Sequence, residues 1–290
     1  MSMTFQYSEM KSYKTPLRYP GGKSRAAAKL YPQFPDYVKE FREPFLGGGS
    51  MAIYFSKENP DTPVWVNDTY FYLYNFWVQL QDRGYELSDT LMTIKNHHDN
   101  EVKAKELFQK CKADIANVSE FQQAVYFYIL NKCSFSGLTE NSSFSKQASV
   151  SNFSKKGIRK LAHYGQIIEH WEITNDDYSE LIPHYDDKDV FCFLDPPYDI
   201  KDFLYGTKGS MHKGFDHQRF ASVCNESTCN WMITYNSNEN TRGLFPNHKQ
   251  TEWDLTYTMR STGGYNAAQS KRKELLITNY VKAPQGLPFN

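Results

Sequence analysis

Apolar positions follow two periods that alternate along the chain. Short runs at Val38 to Leu46, Val64 to Val66, Ile167 to Ile173, Val190 to Leu194, Asn230 to Tyr235 and Leu275 to Tyr280 have the length and content of strands buried in a sheet. Gly47 to Gly49 reads as the turn after the first run, Ser50 to Ser56 as a helix, and Asn67-Asp68 as the end of the second strand. Further helices are predicted over Ala26 to Leu30, with Ser24 as cap, and over Phe215 to Cys224. From about Tyr70 to Asn131 the period becomes helical. After the cap candidate Ser119, Phe121, Ala124, Val125, Tyr128 and Ile129 recur at helical spacing, and three to five helices fit the stretch. Between Cys133 and Phe153 the chain is serine-rich with few aliphatics, which predicts a hairpin or a long exposed loop. Because α/β strands belong to one sheet more economically than to two half-sheets, the order implies a single α/β domain, interrupted by an inserted helical one. The expected divisions are residues 1-72, 73-164 with the hairpin near 133-153, and 165-290.

Composition narrows the class. The 290 residues are 40% hydrophobic and 16% aromatic, too apolar for a disordered chain. Lys plus Arg is 33 and Asp plus Glu is 33, so any surface for a polyanion must be local. Three tracts free of Asp and Glu supply candidates: residues 11–29 hold six Lys or Arg, residues 144–163 five and residues 255–273 four. They are either ordinary solvated surface or the lining of one cleft. Five scattered cysteines without a C-x-x-C pair read as reduced core thiols, and no metal site is expected even at the closest pair, Cys224 and Cys229. No run has signal-peptide or membrane-span character, so a soluble, cytoplasmic protein is expected.

The glycine turn carries the first candidate chemistry. Gly47, Gly49 and Ala52 satisfy G-x-G-x-x-A, and Asp68 follows Gly49 by 19 residues, where an acid can accept ribose hydroxyls. The same letters also describe a plain strand-to-helix turn, and a nicotinamide dehydrogenase shares this generic fingerprint. Phe45, two residues before Gly47, makes the form F-x-G-x-G, which resembles motif I of methyltransferases. That resemblance implies S-adenosylmethionine, whose sulfonium favours π faces and nearby acids.

Asp195-Pro196-Pro197-Tyr198 follows the apolar run Val190 to Leu194, which puts it at the carboxyl end of a buried strand, where open α/β sheets present ligands. The prolines stiffen the chain and donate no backbone hydrogen, so the Asp195 carboxylate and the Pro196 carbonyl can both act as acceptors. Two acceptors suit one planar NH2 group. Accepting both of its hydrogens favours a more tetrahedral, nucleophilic nitrogen, and Tyr198 is placed to stack on a base. The alternative is an Asp-Pro turn after a core strand.

Taken together, the chain resembles the Dam-type DNA adenine N6-methyltransferases of the D12 class. The likeness lies in Leu17-Arg18-Tyr19-Pro20-Gly21-Gly22-Lys23, Phe45 to Gly49, Asn131-Lys132-Cys133-Ser134-Phe135-Ser136-Gly137 and Asp195 to Tyr198. It implies a Rossmann-like methyltransferase sheet with an inserted, mainly helical target-recognition domain. It further implies that Tyr19, Lys23, Asp68 and Asp195 contact adenosylmethionine, that Phe45, Gly47 and Gly49 shape its pocket, and that Asp177-Tyr178 flanks its adenine. The 148 positions from Gly47 to Asp195 leave room for the insert.

Adenine N6 is out of reach inside a duplex, so the target base is expected to flip out at a cost of a few kcal/mol. Phe135 either fills the vacated space or anchors its loop on the helices. Lys14, Arg18, Lys155, Lys156 and Lys271 are phosphate candidates, and Ser134, Ser136, Thr139, Glu140 and Asn141 are candidates for sequence reading. Members that read GATC are expected to carry an arginine soon after the glycine of this segment; Gly137-Leu138-Thr139-Glu140 lacks one, which argues against GATC. Glu140 suits a cytosine amino group, or is simply a solvated loop acid. The loop from Tyr205 to His217, with His212, is a candidate lid over the flipped base, its histidines being surface groups. The expected activity is site-specific methyl transfer to adenine N6 in double-stranded DNA by a monomer or weak dimer, with a cognate restriction endonuclease as a candidate partner. Rival readings are an RNA base or protein amide as acceptor, or an idle DNA-binding relative.

Overall fold

The protein was analysed as a computed structural model, which describes residues 14–137, 139, 142–183, 187–198, 214–254 and 273–282. Seven strands form one sheet: β1 Glu40–Glu43, β2 Val64–Asn67, β3 Trp171–Thr174, β4 Val190–Leu194, β5 Asn230–Asn236, β6 Lys249–Asp254 and β7 Lys273–Thr278. Their order across the sheet is β3-β2-β1-β4-β5-β7-β6. β1 to β5 are parallel, and β7 runs antiparallel between β5 and β6. The chain builds outward from β1 through β2 to β3, then crosses to β4 on the other side of β1. The crevice at the carboxyl ends of β1 and β4 is therefore the switch point where such sheets bind ligands. This is the mixed α/β, Rossmann-like methyltransferase architecture that the motifs implied.

The helices are α1 Ala27–Leu30, α2 Ser50–Glu58, α3 Phe71–His97, α4 Glu101–Asp114, α5 Glu120–Cys133, α6 Lys146–Ser151, α7 Lys155–Arg159, α8 Leu161–Ile167, α9 His217–Glu226 and α10 Glu239–Leu244. Helices α3 to α8 all lie between β2 and β3. β4 shows why its letters are uniformly apolar: Phe191 and Phe193 enter the cluster on one face, Val190, Cys192 and Leu194 the cluster on the other. The first cluster continues from Phe41 and Phe55 into Phe76, Trp77 and Phe127, so the helical stretch shares an apolar core with the sheet.

Several elements depart from the sequence pattern. β1 stops at Glu43, before Pro44, and Leu46 already belongs to the turn, its N–H donating 2.9 Å to the Asn67 carbonyl. Ser24 does not cap α1; its hydroxyl pairs with Ser50 at 2.8 Å. Ile167 ends α8 and Ile168 caps it, so the apolar run from Ile167 to Ile173 becomes strand only at Trp171. Among the described residues the serine-rich segment makes one antiparallel bridge, Ser134 with Phe144, then turns helical because Ser145 and Ser154 cap α6 and α7. β6 carries the polar letters KQTEWD and had no apolar signal. Among the described residues no helix is long and apolar enough to cross a membrane, and no group of three or more His, Cys, Asp or Glu has the arrangement to hold a metal ion. All five cysteines are buried and unbridged.

Candidate active site

Asp195 leaves the end of β4 and meets residues from three other parts of the chain. The buried Lys23 ammonium donates to Asp195 Oδ1 at 2.7 Å, Asp195 Oδ2 at 2.8 Å, the Gly21 carbonyl at 3.0 Å and the Tyr198 hydroxyl at 2.9 Å. Thr234, on β5 beside β4, donates its hydroxyl to Asp195 Oδ1 at 2.7 Å. Tyr198 donates in turn to Glu274 Oε1 at 3.1 Å, Glu274 reaching this edge because β7 is antiparallel and begins where β5 ends. Five side chains, from Lys23 to Glu274, thus form one hydrogen-bonded chain. Burial pushes the Glu274 carboxyl up to about 7, opposed by the charge of Lys23.

The glycine turn lies beside this chain. Gly47 has φ +50°, and a Cβ there would stand 2.8 Å from the Tyr19 ring, so the turn requires a residue without one. Asp68 ties the turn to the end of β2: Oδ2 accepts the Gly47 N–H at 2.9 Å and Oδ1 the Tyr70 N–H at 3.0 Å. Burial raises its carboxyl to about 6 against those two bonds. Gly49, also at positive φ, precedes α2, and Glu43 accepts the Ala52 N–H in its first turn at 2.7 Å. Complete burial raises Glu43 well above the ordinary carboxylate range, with Asp195 and Asp68 adding repulsion and Lys23 opposing. Glu43 thus lies within reach of the charges of Asp195, Asp68 and Lys23, and Glu274 within reach of those of Lys23 and Asp195.

Aromatic rings border the acids. Phe45 stacks on Tyr178 with centroids 5.3 Å apart, and both rings contact Phe220. The Tyr178 hydroxyl is buried with no hydrogen-bond partner among the described residues. Asp177 caps the turn that carries Tyr178 and binds Arg219 of α9 through both oxygens, at 3.0 and 2.8 Å. Arg219 holds its carboxyl down at about 2 and lies over the Tyr178 ring.

The candidate DNA-contacting residues separate. Arg18 is half-buried, its guanidinium donating 2.8 Å to the Ser134 carbonyl. Asn131 binds the Arg18 backbone twice, and a Cβ on Gly137 would stand 2.6 Å from the Arg18 carbonyl, so the Arg18 and Ser134 segments are one packed unit. Ser134 is completely buried and Thr139 nearly so, which withdraws both from the surface where sequence reading was expected. Phe135 is 61% exposed, not a packed loop anchor. Ser136 lies in the same short 3-10 turn. Lys155 and Lys156 open α7 as exposed side chains, and the carbonyl of exposed Lys14 accepts the Tyr164 hydroxyl. His217 begins α9 and bonds Tyr235, which makes it a helix residue instead of a lid residue. Glu140, Asn141, Lys271, Tyr205 and His212 lie outside the described residues.

Pattern reading missed Glu43, Thr234 and Glu274. Each is a polar residue at a buried strand position; Thr234 and Glu274 stand in mainly apolar strands, and that mismatch was the available signal, whereas Glu43 ends the charged strand EFRE and gave none.

Comparison with known proteins agrees with this geometry. Residues 19–259 match the family described as D12 class N6 adenine-specific DNA methyltransferase. The chain is 21% identical over 273 residues to the Type II methyltransferase M1.LlaDCHI of Lactococcus lactis subsp. cremoris, covering 91% of this chain and 94% of the relative. It is 22% identical over 270 residues to the Type II methyltransferase M.CviBI of Paramecium bursaria Chlorella virus NC1A, covering 91% and 98%. A further relative, the Type II methyltransferase M.MjaIII of Methanocaldococcus jannaschii, is 22% identical over 200 residues, 63% of this chain and 68% of its own length. With the acidic turn, the proline-stiffened carboxylate and the sheet order all in place, the chain belongs to the D12 class of adenine N6-specific DNA methyltransferases.

Proposed function

We propose that the protein transfers a methyl group from S-adenosylmethionine to N6 of an adenine flipped out of a specific double-stranded DNA sequence. The observation that carries this is Asp195 at the carboxyl end of β4, stiffened by Pro196 and Pro197 and held by Lys23 and Thr234. Asp195 Oδ1 already accepts two hydrogen bonds, whereas Oδ2 accepts one. Oδ2 and the Pro196 carbonyl are then the acceptors for the two amine hydrogens. Tyr198 stacks on the base. No shifted general base is needed, because the product nitrogen sheds its proton to solvent or to Asp195.

The residues fit the donor. Asp68 at the glycine turn, and the stacked Phe45 and Tyr178 rings, suit a ligand that carries a sulfonium and an ammonium. When bound, it supplies an electrophilic methyl group. Tyr19, Lys23, the Gly47 to Gly49 turn and Asp68 hold it, with Asp177 and Tyr178 at its adenine. The helices between β2 and β3 serve as the target-recognition insert, and Phe135 fills the space left by the flipped base. A monomer or weak dimer, in the cytoplasm and paired with a restriction endonuclease, completes the proposal. The test is tritiated methyl incorporation into duplex DNA, RNA and protein by the wild type and Asp195→Ala. Incorporation into duplex DNA alone, abolished in a folded Asp195→Ala protein, is expected; full activity of that variant refutes the role of Asp195.

A further inference from the structure

Glu274 is a buried acid at the start of a strand whose next residues are Leu275, Leu276 and Ile277. Core packing gives no reason for a carboxyl group there, and burying one is costly unless something compensates it. What faces it is the Tyr198 hydroxyl at 3.1 Å, and that same hydroxyl accepts from the Lys23 ammonium at 2.9 Å. The phenol is thus gripped from two sides at its outer end. A ring held at its hydroxyl has the direction of its long axis fixed, and an ammonium held at the same oxygen is seated against Asp195.

We infer that Glu274 is a positioning residue for methyl transfer: through the Tyr198 hydroxyl it sets where the stacking ring reaches and the seat of Lys23 against Asp195. This rests on the methyltransferase function proposed above. It touches no reacting atom, so its effect is transmitted, and transmission can be measured. Removing the acceptor and removing the hydroxyl cut the same link, so the two losses must not multiply.

The experiment is a double-mutant cycle on the full chain, with single-turnover methyl transfer to duplex DNA from labelled S-adenosylmethionine and melting followed by circular dichroism. Glu274→Leu and Tyr198→Phe are each expected to lower the rate about tenfold or more with little change in KM for DNA. The double variant is expected to be no slower than the slower single. Glu274→Gln, which keeps an acceptor oxygen at the same reach, is expected to recover much of the loss, and it replaces the leucine variant should that one not fold. Multiplicative losses, a Glu274→Leu enzyme at the wild-type rate, or a loss that only follows the unfolded fraction would each overturn the role of Glu274 while leaving the methyltransferase function standing. A wild-type chain that methylates no duplex DNA overturns both.

Discussion

Asn131 holds the backbone of Arg18 from both directions, its Oδ1 accepting the Arg18 N–H at 2.9 Å and its Nδ2 donating to the Arg18 carbonyl at 2.7 Å. The pair joins α5 to the loop that delivers Lys23. Asn131 is buried, so its replacement leaves backbone groups without partners. Asn131→Ala is expected to cost about 2–4 kcal/mol, one unmade buried bond at each end of the clamp. Urea denaturation measures this; an unchanged midpoint would deny the clamp any energetic weight.

Lys23 neutralises Asp195 in a site otherwise rich in acid. Lys23→Met is expected to destabilise by about 3 kcal/mol, because breaking a buried pair strands the remaining charge. Adding Asp195→Asn should restore most of that stability and no activity. If the double variant is as unstable as Lys23→Met alone, lost packing is responsible and charge is not.

Gly47 combines positive φ with the Tyr19 ring at its would-be Cβ. Gly47→Ala is expected to cost about 1–3 kcal/mol in backbone strain and to displace Tyr19. Calorimetric titration with S-adenosylmethionine should show weaker binding, since Tyr19 and this turn border the same crevice. Wild-type affinity together with wild-type stability would remove the turn from the site.

Glu274 and Asp68 have carboxyls raised by burial, to about 7 and about 6. Each binds its proton more tightly in the folded chain than in the unfolded one. The stability so contributed is complete below the unfolded values near 4 and is lost as pH rises through about 6 to 7. Glu274→Gln does not titrate. The melting temperature of Glu274→Gln minus that of wild type should therefore grow from about pH 5 to about pH 8. A difference constant with pH would show that the Glu274 carboxyl is not perturbed.

Much of this was legible because physics acts locally in it. β4 is apolar throughout since both its faces are covered, and Asp195 to Tyr198 must then stand at its carboxyl end. The turn at Gly47 to Gly49 is written in residues that tolerate positive φ. What escaped depends on partners far along the chain. Lys23 and Asp195 are separated by 172 positions, and no periodicity states that they meet. Ser134 looked like a surface serine until Arg18 and Asn131 packed over its segment. The polar strand β6 is held by the ladder of β7, a cause invisible in its own letters.

β7 returns antiparallel and inserts between β5 and its own predecessor β6, so its first residues finish the carboxyl edge of the sheet. A chain ending between residues 255 and 272 would keep the glycine turn, Asp195 and α1 to α10, yet would lack the Glu274 neighbour of Tyr198 and leave β6 without its β7 ladder.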